Sequence, residues 1–179
     1  IFKNIYVYNF GLSKENIKKN LYKAYYKKKY FHFNNSFSLK YIRQKLKDNY
    51  PSIHNEFKIK KKKLILKKFD NLKIKTNICF IKIDVEGYDD FVIDGMKKTI
   101  KNNQPVILVE YNEVNFKNVY CQLSQNYFCY TYLYDKNRLK KFKLSEINKL
   151  KNGKYNPKKF LKNSINVFFI PKKNIKINK

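Results

Sequence analysis

The chain has 179 residues, of which 43% are apolar, and this length and composition fit one domain with a sizeable hydrophobic core. Its three cysteines include no Cys-x-x-Cys pair, which argues against a disulfide framework and against a cysteine zinc site. No apolar run approaches the roughly 20 residues that a membrane-spanning helix needs. We therefore expect a soluble protein of a reducing compartment, the cytoplasm.

The positive charge of the chain has two interpretations. The 41 basic and 13 acidic residues give a formal net charge of +28, an excess that is common in proteins that bind nucleic acid or anionic surfaces. However, only Arg43 and Arg138 are arginines, although phosphate-binding sites favour the bidentate fork of arginine. Many Asn, Ile, Tyr and Phe residues, whose codons are rich in A and T, accompany the lysines. We therefore favour a biased genome as the explanation and do not expect a nucleic-acid partner.

The first third of the chain predicts two strands and one helix. Aromatic and β-branched residues at 5–10 predict a buried strand that ends in a turn at residues 11–13. Residues 14–35 show no clear period and predict irregular or hairpin structure. Apolar residues recur at steps of three and four within residues 38–50 and predict a helix. Residues 57–69 surround a run of four lysines and predict an edge strand, because such lysines discourage pairing with other chains.

The middle of the chain predicts a strand, a helix and a second strand. Residues 78–85 are nearly all apolar, as expected for a parallel strand that is covered on both faces, and Gly87 permits a tight turn after them. Acidic residues begin the segment 89–101 and lysines end it, which complements the helix dipole. Pro105 stops the helix, and residues 106–109 form a second buried strand. A crossover of this kind makes the two strands parallel.

The last third of the chain is less regular. It predicts a helix at residues 115–125, a strand at 127–134, a short helix at 145–151 and a final strand at 165–170, followed by a frayed tail. No internal repeat and no Pro-rich or Ser-rich linker divides the chain.

Three acidic residues fall where the predicted central strands end. Asp84 and Glu86 follow the first of these strands and Glu110 follows the second; we call these three residues the strand-end acids. Because ligands of open α/β sheets bind beyond the carboxyl ends of the strands, they predict a functional site. The alternative is that one acid caps the helix while the others are solvated. Lys82 alternates onto the same side as Asp84 and can pair with it, but a lysine whose stem is buried and whose ammonium group reaches solvent fits the pattern equally well. Cys79 is expected to pack in the core.

The central unit resembles a known family. The run FIKIDVEGYD at residues 80–89, then Gly95, then PVILVE at residues 105–110, is similar to the FkbM-type family of S-adenosylmethionine-dependent methyltransferases. Weaker similarities flank this motif in the order in which the family carries them, at residues 6–13, 66–72 and 167–171. The resemblance therefore covers most of the chain.

The resemblance implies a fold, a reaction and a cofactor. The fold would be α/β, a single domain over residues 1–179 with a mainly parallel Rossmann-like sheet and an antiparallel edge at its carboxyl terminus. The reaction would be O-methylation of a hydroxylated small molecule or glycan, with S-adenosylmethionine as the cofactor and no metal. Asp84, Glu86 and Glu110 would be catalytic, Asp84 as the base and the two glutamates as orienting groups. Asp84 and Gly87 would also contact the cofactor.

One departure from the family concerns glycine. The family binds its cofactor through a glycine-rich turn after the first strand, whereas this chain has only four glycines, and they are not clustered. Together with the start at Ile1, this predicts an amino-terminally truncated domain that lacks its first two strand-helix units. We therefore expect activity in the parent protein and not in these residues alone. Two other functions stay open: a lysine-rich module that binds nucleic acid or an anionic surface, and a non-catalytic methyltransferase-like domain.

Overall fold

The computed structural model describes residues 4–74, 76–85, 87–111, 115–133, 136–141 and 166–174. Within these residues, nine strands form two sheets, one of four strands and one of five, and four α-helices accompany them.

The four-stranded sheet is built from the first part of the chain. Its spatial order is β1-β4-β2-β3, with β1 at Gly11–Ser13, β2 at Ile17–Tyr26, β3 at Lys29–Ser36 and β4 at Lys58–Lys68. A two-residue turn joins β2 to β3, so these strands form an antiparallel hairpin.

One helix covers this sheet. Helix α1 spans Leu39–Asn49 and begins at Ser38, whose hydroxyl accepts a hydrogen bond from the backbone N–H of Tyr41 at 3.2 Å. Its buried face joins the sheet in a small core of four fully buried residues: Ala24, Ile42, Leu46 and Phe57.

The five-stranded sheet contains the predicted central unit. Its order is β5-β6-β9-β7-β8, with β5 at Phe80–Ile83, β6 at Val106–Glu110, β7 at Tyr127–Leu133, β8 at Arg138–Lys141 and β9 at Asn166–Pro171. Helices α2 at Asp89–Asp94 and α3 at Lys97–Asn103 connect β5 to β6, and α4 at Phe116–Leu123 connects β6 to β7. The larger core lies here and is centred on fully buried side chains, among them Ile93, Ile107, Val109, Val119, Val167 and Phe169.

The two sheets meet at the end of α2. A Cβ atom added to Gly95 would lie 2.0 Å from the carbonyl oxygen of Ser13, so β1 passes directly against this glycine. The backbone N–H of Asp70, just after β4, donates to the carbonyl of Gly95 at 3.0 Å. The Asp70 carboxylate accepts hydrogen bonds from the backbone N–H groups of Lys98 and Thr99 at 2.8 and 2.9 Å. Residues 66–72, one of the weaker family similarities in the sequence, thus cap α3 and join the two sheets.

The predicted mainly parallel sheet is wrong. Five of the seven strand pairings within the described residues are antiparallel, and the strands form two mixed sheets instead of one mainly parallel Rossmann-like sheet. A parallel pair of sequential strands needs a long crossover, which α2 and α3 supply between β5 and β6. By contrast, the tight β2–β3 turn dictates an antiparallel hairpin, and β9 inserts antiparallel between β6 and β7.

Several local predictions are confirmed. The helix at 38–50, the hairpin within 14–35, the strand-helix-strand unit and the strands near 127–134 and 165–170 are all present. The helix predicted at 115–125 is the shorter α4. The helix predicted at 145–151 lies outside the described residues, as do residues 175–179 of the predicted frayed tail.

Other local predictions are wrong. Residues 5–8 form no strand and are exposed, with Val7 at 91%, because the partner strand β4 pairs with residues 11–13 instead. The single helix predicted at 89–101 is two helices that meet at Gly95 and Met96. The edge strand predicted at 57–69 is right in part: β1 pairs with the last three residues of β4, whereas residues 58–65, with the lysine run, pair with β2 alone among the described strands. Cys79 precedes β5 and is exposed, not packed in the core.

Candidate active site

The register of β5 and β6 brings two of the strand-end acids to one edge of the sheet. The strands are parallel, and Ile83 is the register partner of Val109. Asp84 directly follows Ile83, and Glu110 directly follows Val109. Both residues therefore lie at the carboxyl edge of this strand pair, as the sequence predicted. Glu86, the third strand-end acid, lies outside the described residues.

Asp84 lies beside an open cleft. Its carboxylate forms an ion pair with the ammonium group of Lys82 at 3.0 Å, and both side chains are about half exposed. The predicted pairing of these two residues is thus confirmed. The cleft has a volume of about 590 Å³ and lies between β1 and β5, the edge strand of the larger sheet. Its other walls are mainly apolar, and Phe80, which is 50% exposed, contributes to them.

Gly87 makes the turn between β5 and α2. Its φ angle of 86° lies in the left-handed region, which glycine adopts without the steric cost that a Cβ atom brings. The predicted tight turn is confirmed, and it directs the chain into Tyr88 and the amino terminus of α2.

Tyr88 connects this turn to the four-stranded sheet. Its side chain is buried, stacks on Phe91 at 4.4 Å between ring centroids, and has its hydroxyl 3.3 Å from the hydroxyl of Ser13. The ammonium group of Lys19 donates to the same tyrosine hydroxyl at 3.3 Å and lies 4.6 Å from the ring centroid. A cavity of about 220 Å³, lined in part by Tyr88, adjoins the open cleft because both are lined by Gly11, Leu12 and Val85.

Asp89 is a buried acid in the first turn of α2. Only 2% of the residue is exposed, its Oδ2 accepts a hydrogen bond from the Asn115 side chain at 3.2 Å, and its Oδ1 has no hydrogen-bond partner within the described part of the chain. Burial raises the pKa of the Asp89 carboxyl above its ordinary value of 3.8, and the Asn115 hydrogen bond offsets part of that increase. The neighbouring charges of Asp90 and Asp84 raise the pKa further.

Sequence reasoning did not include Tyr88, Asp89, Lys19 or Ser13 among the site residues. It treated Asp89 and Asp90 alike, as acids that complement the helix dipole. A one-residue difference separates them on the helix: Asp89 points into the protein, whereas the Asp90 carboxylate accepts a bond from Asn118 at the surface. The available signal was the position of Asp89 immediately after the glycine turn, but its burial depends on α4, which is distant in sequence.

Comparison with known families shows to which family the chain belongs. The family model described as Methyltransferase FkbM domain matches residues 3–150. The chain belongs to the FkbM methyltransferase family. The suspected resemblance is therefore confirmed, and the FkbM match includes β5, β6 and the strand-end acids. Neither a curated protein nor a solved structure matches the chain.

Among the described residues, no group of three or more His, Cys, Asp or Glu side chains is arranged to hold a metal ion. Within the same residues, no helix has the length and apolar character needed to cross a membrane.

Proposed function

We propose that the protein is an S-adenosylmethionine-dependent O-methyltransferase whose acceptor is a hydroxylated small molecule or a glycan. Membership of the FkbM family supports methyl transfer as the reaction class. The observation that carries the site assignment is the Asp84 carboxylate, which lies at the carboxyl end of the parallel β5–β6 pair and lines an open cleft that runs along β5.

The residues around this cleft fit the proposed cofactor. A volume of about 590 Å³ falls in the usual range of ligand sites. Mainly apolar walls that carry the Asp84–Lys82 ion pair suit a ligand that combines an aromatic base with hydroxyl groups. We propose that Asp84 and the backbone at Gly87 hold the cofactor, because a residue without a side chain allows close approach of a ligand. When bound, S-adenosylmethionine would supply an activated methyl group.

The strand-end acids would act on the acceptor. Asp84 Oδ1 or Oδ2 would accept the proton of the acceptor hydroxyl as the new bond to oxygen forms, a role that requires hydrogen-bond distance. Lys82, 3.0 Å from Asp84, would hold the carboxylate in one orientation. Glu86 and Glu110 would accept hydrogen bonds from other acceptor hydroxyls and fix its position, since positioning supplies much of the rate of a transfer reaction.

Asp84→Asn tests the proposed base. The substitution keeps the size of the side chain but removes its ability to take a proton, so the full-length protein should lose about 100-fold or more in methyl transfer. The measurement is transfer of labelled methyl groups from S-adenosylmethionine to a panel of hydroxylated acceptors, with calorimetry of cofactor binding alongside.

Asp48→Asn is the matched control. Asp48 is exposed on α1, where it accepts a hydrogen bond from Gln44 at 2.8 Å, so the same chemical change there should leave turnover unaltered. Full activity of Asp84→Asn with an intact fold would remove Asp84 from the mechanism. Absence of both cofactor binding and transfer in the unmodified full-length protein would instead favour a non-catalytic domain.

We also propose that the protein works in the reducing environment of the cytoplasm. Three free cysteines, two of them exposed, support this location.

A further inference from the structure

The cavity of about 220 Å³ beside Tyr88 lies between the two sheets. Side chains alternate along β4, so Ile59 packs against the core under α1 while Leu64 and Leu66 belong to the other face of the strand. These two leucines form one wall of the cavity, and Val85 and Tyr88, on either side of the turn after β5, belong to another. We call this space the inter-sheet cavity.

The inter-sheet cavity is next to the proposed site of methyl transfer. Gly11, Leu12 and Val85 line both the cavity and the open cleft that Asp84 lines. Val85 directly follows Asp84 in the chain, so a single residue separates the proposed base from the cavity. A ligand whose hydroxyl group lies at Asp84 can therefore extend past Val85 into the inter-sheet cavity.

The polar side chains that line the inter-sheet cavity already have partners in the protein. Asn35 Oδ1 accepts a hydrogen bond from the Tyr30 hydroxyl at 2.9 Å, and Ser36 Oγ accepts one from the backbone N–H of Ser38 at 3.1 Å. The Tyr88 hydroxyl has the contacts described above. A sugar ring in this space would leave hydroxyl groups without partners, and each such group costs free energy.

The remaining walls suit a flat apolar ring. Four leucines line the cavity together with Phe37, whose ring centroid lies 4.7 Å from that of Tyr88. None of the lining residues in the described chain is charged. An apolar cavity of roughly 150 Å³ is large enough to hold benzene. The inter-sheet cavity, at about 220 Å³, therefore accommodates one six-membered ring with small substituents.

We propose that the inter-sheet cavity binds the ring of the methyl acceptor and that this acceptor is a phenol with one ring, not a glycan. The inference rests on the proposed function, because it names the acceptor class of the same site. A phenol is more acidic than a sugar hydroxyl, so it gives its proton more readily to a carboxylate such as Asp84. The phenol oxygen would bond to the methyl carbon as the carbon–sulfur bond breaks, the sulfur would keep the electron pair, and Asp84 would take the proton.

The adenine ring of the cofactor is the competing occupant of this space. Adenine has several nitrogen atoms that need hydrogen-bond partners, whereas the polar groups of the inter-sheet cavity are already engaged. A phenol ring has no polar atom besides its hydroxyl, which would lie outside the cavity at Asp84. The cavity walls therefore favour the phenol.

Two adjacent positions of β4 provide the test and its matched control. Leu64 lines the inter-sheet cavity, whereas Ile65 is 51% exposed on the opposite face of the strand. In the full-length protein, Leu64→Phe should fill the cavity and raise the KM for phenol and para-cresol about tenfold or more, with affinity for S-adenosylmethionine unchanged within about twofold. Ile65→Phe should change neither quantity by more than about twofold. Transfer of labelled methyl groups and calorimetry of phenol and cofactor binding measure these quantities.

A second variant gives a result that loss of folding cannot produce. Leu64→Ala enlarges the inter-sheet cavity, so it should shift the preference between 2-naphthol and phenol, measured as a ratio of kcat/KM values, about fivefold towards the larger ring. Glucose and galactose serve as glycan acceptors in the same assay. Preference for phenols over these sugars, together with the expected effects of the Leu64 variants, supports the proposal.

The other results separate this inference from the proposed function. Methylation of sugars as efficiently as phenols, or an unchanged KM for phenols in Leu64→Phe, would overturn the inference and leave methyl transfer in place. Weaker cofactor binding in Leu64→Phe alone would assign the cavity to adenine and would also overturn it. If neither class is methylated, the proposed function fails, and calorimetry decides the inference. Phenol binding that Leu64→Phe weakens would support the ring site, and absence of phenol binding would overturn it.

Discussion

The two sheets of this protein differ in the number and placement of their acidic residues. In the five-stranded part, individual acids have individual polar partners: Asp84 with Lys82, Asp89 with Asn115 and Asp90 with Asn118. In the four-stranded part, lysines lie over aromatic rings or project into solvent, as Lys23 does over Tyr30 at 4.8 Å. Lysines of the five-stranded part also lie over a ring, as Lys141 does over Phe128 at 3.8 Å, so the difference between the parts lies in their acids. A site that positions one reacting group needs acids with fixed partners.

This contrast raises the question of how far the two parts depend on each other. They are joined where β1 and the segment after β4 meet the end of α2, through Ser13, Gly95 and Asp70. We propose that these contacts make the described chain one cooperative unit. Substitutions at the junction and within one part test that proposal in order of expected effect.

Gly95→Ala should have the largest effect. Gly95 has a right-handed helical conformation with φ of −72°, so on backbone grounds alone alanine would stabilise the chain. The added Cβ would instead meet the Ser13 carbonyl oxygen at 2.0 Å, and β1 would have to move. We expect the free energy of unfolding to fall by about 3 kcal/mol in urea denaturation, with both sheets unfolding in a single transition.

Gly11→Ala provides the comparison for this experiment. Its new Cβ would meet the end of the Leu66 side chain, at 2.6 Å, and a side-chain end can shift further than a backbone carbonyl even in the core. The loss should therefore be about 1 kcal/mol. A more stable Gly95→Ala variant would show that β1 does not pack against α2 as described, and two separate transitions would show that the sheets unfold independently.

Asp70→Ala should have an intermediate effect. The Asp70 carboxylate accepts hydrogen bonds from two backbone N–H groups of α3 and from the Thr99 hydroxyl at 2.7 Å. Loss of this cap should lower the free energy of unfolding by about 1 to 2 kcal/mol in thermal or urea denaturation. Asp70→Asn keeps an acceptor and should lose less than half of that amount. Unchanged stability in Asp70→Ala would contradict the cap and weaken the proposed junction.

The sequence predicted the local elements better than the arrangement of the sheets. The strand-helix-strand unit follows from Gly87, Pro105 and the apolar strands, all of which act over short distances. Strand pairing does not follow from such local signals, because β9 comes about 60 residues after β6 along the chain and still lies beside it. Local propensity could not reveal that residues 5–8 lack a partner while Gly11–Ser13 has one.

In the candidate site, too, local features could be predicted from the sequence and long-range contacts could not. Asp84 and Glu110 lie at strand ends, and Lys82 pairs with Asp84. Both features follow from the alternation of side chains along strands, and the structure confirms these positions. The buried environment of Asp89 depends on Asn115, and the contacts of Tyr88 depend on Ser13 and Lys19 from the other sheet. Such long-range contacts leave no periodic signal in the sequence. The catalytic roles of the strand-end acids stay a prediction.

Asp89→Asn should have the smallest effect, and the effect should depend on pH. Burial raises the pKa of Asp89 in the folded protein, so the native state holds this proton more tightly than the unfolded chain does. The resulting stabilisation is fully present below pH 3.8 and is lost as pH rises through the raised folded pKa. Asparagine is neutral throughout and can still accept the Asn115 hydrogen bond. The variant should therefore be more stable than the unmodified protein at neutral pH, and this gain should vanish in acid.

Thermal denaturation between pH 3 and pH 8 measures this difference, and Asp90→Asn is the matched control. Asp90 is the adjacent acid, but its carboxylate accepts a surface hydrogen bond from Asn118 at 3.0 Å and complements the dipole at the start of α2, so removing its charge should give no gain. Equal gains in the two variants would assign the effect to total negative charge in this part of the molecule. A gain confined to Asp89→Asn would instead show that one buried carboxylate reduces the stability of the five-stranded part at neutral pH. The position of each acid, and not the total negative charge, would then determine its effect on stability.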